Sequence, residues 1–117
     1  MREIYFYRSE KGECPVADFL GGLSSKQAQK VAWVLRLVRE LPMVPQQYFK
    51  KLEGAGEIWE IRADFGSSAF RLLGFWDEGR LIIVTNAFAK KTRKTPAHEI
   101  ALAQQRRGDY LNRKRKP

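Results

Sequence analysis

Apolar positions along this chain change period several times, and each change marks an element. Ile4 and Phe6, flanked by Tyr5 and Tyr7, predict a short opening strand that the polar run from Arg8 to Gly12 ends. Pro15 to Leu20 predicts a short helix, with proline at its first position and Gly21-Gly22 behind it. Ser24 and Gln27 have capping-box spacing, and Ala28, Val31, Leu35, Val38 and Leu41 then recur at helical intervals until Pro42 stops the helix. Met43 to Gly56 reads as a loop with room for one short strand. From Glu57 the period becomes two. Trp59, Ile61, Ala63 and Phe65 share one face of a strand, and Glu60, Arg62 and Asp64 share the other. Turns at 66–68 and 77–79 set off strands over 69–76 and 80–89, the last carrying an interior Leu-Ile-Ile-Val run. Short loops make these three strands an antiparallel meander. Thr95 as cap and Pro96 at the first position open a final helix to about Leu111, followed by a basic tail over 112–117.

The order β-α-α-β-β-β-α predicts one α+β domain over residues 1–117. A small curved antiparallel sheet has a helical pair on one face and the C-terminal helix against its edge or other face. Register at the 66–68 turn decides where two strand arginines point. If Phe65 faces Ala69, Arg62 and Arg71 lie on opposite faces; if Phe65 faces Phe70, they share one. Both pairings stay open.

Charge changes this picture. The chain has 22 Lys plus Arg against 13 Asp plus Glu, a formal net charge of +9 on 117 residues, which favours a polyanionic partner. One cysteine and one histidine exclude an intramolecular disulfide and a Cys/His zinc site, and no metal site or cofactor is expected. Cys14 reads as a packing residue. No apolar run approaches a membrane span and the N-terminus has no signal-like apolar core, so the expectation is a cytoplasmic protein. Nucleophile-elbow, Walker, dinucleotide and paired-histidine motifs are all missing.

What remains is cationic side chains: Lys50, Lys51, Arg62, Arg71, Lys90, Lys91, Arg93 and Lys94. Arg71 is set among apolar neighbours. It reads either as an ion-pair partner of Glu60 or Asp64, or as part of a phosphate clamp, for which the planar guanidinium fork is suited. The loop from Lys90 to Lys94 follows a strand and precedes a helix N-terminus, a place where backbone N–H groups favour anions. Tyr48 and Phe49 offer a stacking surface for a base. His98, in the first turn of the last helix, is a further acid–base candidate.

Taken in order, Leu52-Glu-Gly, Ile58-Trp-Glu-Ile-Arg62, Phe70-Arg71 and Phe88-Ala-Lys-Lys-Thr-Arg-Lys-Thr-Pro96 resemble the phage-derived, HigB-like branch of the RelE/ParE toxin superfamily. The resemblance spans about Tyr5 to Tyr110. It implies a RelE-like fold and the toxin of a type II toxin–antitoxin module. The implied activity is a metal-independent mRNA interferase acting in the ribosomal A site, with a helix-turn-helix antitoxin as partner. On matching positions it implies that Arg71 grips the scissile phosphate and that Arg62 activates the 2′-OH or neutralises charge. Lys90 and Lys91 would aid charge stabilisation or leaving-group protonation, and Lys94, with Lys50, Lys51 and Arg93, would hold substrate. Two departures leave the base and acid unassigned: His98 and the distant Tyr110 stand where such toxins often place a nearer tyrosine, and Glu60 stands where a lysine can occur. A ParE-like gyrase-binding toxin and a degenerate prophage RNA-binding module are the alternatives.

Overall fold

A computed structural model describes residues 1–115. The elements are β1 (Glu3–Phe6), α1 (Pro15–Gly21), α2 (Ser25–Glu40), β2 (Phe49–Lys51), β3 (Trp59–Phe65), β4 (Ser68–Trp76), β5 (Leu81–Ala89) and α3 (Ala97–Arg115). They form one five-stranded sheet in the order β1-β5-β4-β3-β2. The α+β expectation holds, with the arrangement of a RelE-like fold. The sheet is mixed rather than wholly antiparallel, because β1 runs parallel to β5 while every other neighbour is antiparallel.

The two faces of the sheet carry separate cores. Val31, Val34 and Val38 of α2 and Val16 of α1 pack on Ile61, Ala63, Phe70 and Leu72. On the other face Ala103 of α3 packs with Ile58, Leu73, Phe75 and Ile83. This split follows from strand alternation: even positions of β4 point toward α2, odd positions toward α3. The odd positions include Arg71.

The β3–β4 pairing is neither of the two expected. Phe65 faces Ser68, leaving a two-residue turn with Gly66 at a φ of +59°, and Arg62 stands directly opposite Arg71. Glycine at the first position of a two-residue loop allows the turn whose twist matches the strands.

Pairing between β4 and β5 is interrupted at Leu73/Gly74, a β-bulge. A Cβ added at Gly74 would fall on the Ile83 carbonyl oxygen and lie 3.1 Å from the Val84 Cα. Backbone cannot yield as a flexible side chain can, so Gly74→Ala should cost about 1–3 kcal/mol. A thermal melt equal to that of the wild type would show that the bulge relaxes freely.

The last helix runs farther than expected, through Arg115 rather than to Leu111, and the expected tail is helical over its described part. Lys116 and Pro117 lie outside the described residues. Side chains bind this last turn to the body: Arg113 Nη2 donates to Arg8 O at 2.5 Å, Lys114 Nζ is 2.8 Å from Asp77, and Tyr110 donates to Asp77 at 2.8 Å. Burial and the Asp77 bond push the Tyr110 phenol up to about 12.

Candidate functional site

At the end of the sheet away from Asp77, β2, β3, β4 and the segment after β5 bring cations onto the α3 side. Lys50 faces Glu60 across β2–β3, and Arg62 faces Arg71 across β3–β4. The Lys90 N–H donates to Ala69 O, which extends the β5 ladder past its last strand residue and continues the alternation from Phe88, the residue opposite Arg71. Like charges directly opposite on one sheet face are destabilising, so this pairing needs a counter-ion. Glu60 supplies it. Its buried carboxylate Oε1 is 3.6 Å from Arg62 Nε and 3.9 Å from Arg71 Nε, and Oε2 accepts a hydrogen bond from Thr95 Oγ1.

The two arginines differ in access. Arg71 is enclosed, with 5% of its side chain exposed; its Nη1 donates to Asp64 at 2.7 Å and to Phe70 O at 2.9 Å. Asp64 is mostly in water, with 67% of its side chain exposed. Arg62 is 29% exposed and can meet a ligand directly. Both Nε atoms are buried without a hydrogen-bond partner among the described residues.

Lys90 senses the whole group. Burial pushes its ammonium below the ordinary lysine value of 10.5; Arg71, Arg62 and Lys50 push the same way, and Glu60 opposes them. An ammonium held in this state gives up its proton more readily than a free lysine. Side-chain NMR titration should therefore find Lys90 below 10.5 in the wild type. Arg62→Ala should move it back up and Glu60→Gln further down. An unchanged Lys90 in both variants would mean that the charges are screened from one another.

Among the described residues, no side-chain hydrogen bond or ion pair joins the other candidates to this cluster. Lys91, Arg93 and Lys94 are exposed on the loop before α3, where Thr92 Oγ1 donates to Lys94 O. Lys51 points to the opposite strand face and is 3.9 Å from Glu57. Tyr48 packs edge-on to Trp33, and Phe49 is buried, so neither presents an open ring beside Arg62. His98 is 79% exposed, 3.4 Å from Glu99. Tyr110 is committed to Asp77 at the other end of the sheet. Thr95, expected as a helix cap, instead turns its hydroxyl to Glu60. The ion pairs of Arg71 with Glu60 and Asp64 are the two partners the sequence offered, whereas the share of Arg62 and Thr95 in Glu60 went unread. The signal for half of it was present, since Glu60 and Arg62 alternate onto one face.

Among the described residues, no cluster of three or more His, Cys, Asp or Glu could hold a metal ion, and no helix is long and apolar enough to cross a membrane. Residues 18–108 match a family model described as phage-derived protein Gp49-like (DUF891). The chain belongs to the Gp49-like family. A search of curated proteins returned no match. The stretch that marks this chain as Gp49-like contains Lys50, Glu60, Arg62, Arg71, Lys90 and Thr95, the whole of the cluster.

Proposed function

We propose that this Gp49-like protein is the toxin of a type II toxin–antitoxin module and a ribosome-dependent mRNA interferase of the HigB/RelE kind, neutralised by a helix-turn-helix antitoxin. The observation that carries the reading is the convergence of Arg62, Arg71, Lys50 and Lys90 on one sheet face around a single buried carboxylate. In the reaction the 2′-oxygen attacks the adjacent phosphorus. A new O–P bond forms, the P–O5′ bond breaks, and the products are a 2′,3′-cyclic phosphate and a 5′-hydroxyl. One proton leaves the 2′-OH and one reaches the departing 5′-oxygen.

Arg62 and Arg71 are suited to the charge of the pentavalent phosphorane. Lys90, its ammonium acidified by its surroundings, is suited to protonating the 5′-oxygen. A phosphate engages Arg71 by taking the place of the exposed Asp64 carboxylate on Nη1. The formal charge of +9 gives RNA binding that weakens as salt rises.

The ion pairs that satisfy Arg71 internally favour a second reading, in which the cluster is structural and the protein inhibits gyrase by binding it. Induced expression in a bacterium lacking the antitoxin, with 5′-end mapping of mRNA, separates the two. Growth arrest with codon-phased cuts is the expected result. Arrest with intact mRNA would transfer the assignment to gyrase, and no arrest would leave a binding module.

A further inference from the structure

A cavity of about 550 Å³ opens at the outer edge of β2, beside the cation cluster and outside it. Its size is that of a small-molecule pocket. Half-buried Trp59 forms its aromatic wall, backed by the buried Phe49 ring at a centroid distance of 4.7 Å. Gln46 and Glu53 bring an amide and a carboxylate, and Lys50 and Lys51 bring two ammonium groups. Lys50 belongs to both places. It faces Glu60 across the β2–β3 ladder, its charge acts on Lys90, and its side chain lines the cavity.

We infer that this cavity is a nucleobase subsite, receiving the base of a single-stranded RNA nucleotide that flanks the phosphate held by the arginine pair. The inference rests on the RNA reading above and adds a specificity element to it. A base needs a flat apolar wall together with donors and acceptors for its polar edge, and the cavity offers all three. Gln46 both donates and accepts, Glu53 accepts, and the lysines donate. Lys50 and Lys51 in the lining suit the phosphates on either side of the base. The comparable cavity between the β1–α1 loop and α3 has the opposite charge balance: Glu10, Glu13 and Asp109 outnumber Lys11 and Arg106 there, whereas Lys50 and Lys51 outnumber Glu53 at the β2 edge. Lys50 is the residue that cavity and cluster share, so RNA bound on the arginines reaches the cavity by crossing the β2 edge beside it.

The test has two arms. In the first, a 2′-O-methyl trinucleotide, which cannot be cleaved, is titrated into the wild-type protein under NMR observation. The Gln46 side-chain amide and the Trp59 indole N–H should shift together, and Gln46→Ala/Glu53→Ala should weaken binding by about fivefold or more. In the second, cut sites are mapped on ribosome-bound mRNA for the wild type and the same double variant. The variant should lose base preference at one position beside the cut. If the wild type cuts mRNA and the variant keeps the wild-type base profile, the subsite is overturned and the nuclease reading stands. If the wild type cuts nothing while the trinucleotide moves Gln46 and Trp59, the nuclease reading falls and the subsite stands. A trinucleotide that moves neither signal overturns the subsite outright.

Discussion

An Arg71→Ala protein should cut mRNA roughly 10²–10³-fold more slowly than the wild type, the loss seen when one oriented donor to a charged transition state is removed. Arg71→Lys should recover only part of it, because an ammonium keeps the charge and loses the planar fork. Folding should survive the change, and the reasons are local. Glu60 keeps Arg62 and Thr95 as partners, and Asp64, two-thirds exposed, returns to water. The repulsion between the facing arginines also disappears. The cost therefore falls below the roughly 3–5 kcal/mol of leaving a buried charge unpaired. Primer extension on a defined mRNA in a reconstituted translation system measures the rate, and a thermal melt checks the fold. Cleavage at the wild-type rate in a folded Arg71→Ala protein would reduce Arg71 to a structural tether between Glu60 and Asp64.

Local signals in the sequence were the legible ones. The capping box is there as spaced: Ser24 Oγ accepts from Gln27 N at 3.2 Å, and Gln27 Oε1 accepts from Ser24 N at 3.0 Å. Both bonds close within four residues, so spacing alone specifies them. The alternation of β3 was equally plain, with Ile61 and Ala63 in one core and Glu60 and Arg62 on the opposite side. What spacing does not specify is which residue of another element comes to meet these side chains. The β3–β4 register turned on a glycine turn that allows several pairings, and the one adopted sets Phe65 against Ser68. Arg113 and Lys114 read as a solvated tail because Asp77, one of their acceptors, sits on a distant hairpin. The parallel partner of β1 lies 78 positions away, at Leu81 for Glu3, and no local pattern encodes it. For the site, residue types and strand faces were readable, whereas the mutual approach of Glu60, Thr95 and the arginines was tertiary.

Glu60→Ala should be the most destabilising single change in the cluster, at about 3–5 kcal/mol. Glu60 is buried between two guanidinium groups that face each other across the strands, and it also receives the Thr95 hydroxyl. Removing it leaves Arg62 and Arg71 opposed with no carboxylate between them, and frees the residue that joins the basic loop to α3. Arg71 keeps Asp64, and Arg62 can take water, so the penalty falls mainly on the enclosed Arg71 Nε and on the start of α3. Glu60→Gln separates charge from shape. It keeps an acceptor for Thr95 and most of the volume, so its melting temperature should lie between those of the wild type and Glu60→Ala. Its activity should fall with the melting loss only partly restored, since a neutral amide cannot hold two cations in register. Chemical denaturation of the three proteins measures the order. If Glu60→Ala melts with the wild type, the arginine pair is held by the strands alone, and the buried carboxylate is dispensable to the fold. If instead Glu60→Gln matches wild-type stability but cuts mRNA slowly, the carboxylate serves the geometry of the cations rather than the fold. That outcome would overturn the intermediate stability expected from its two ion pairs on β3 and β4.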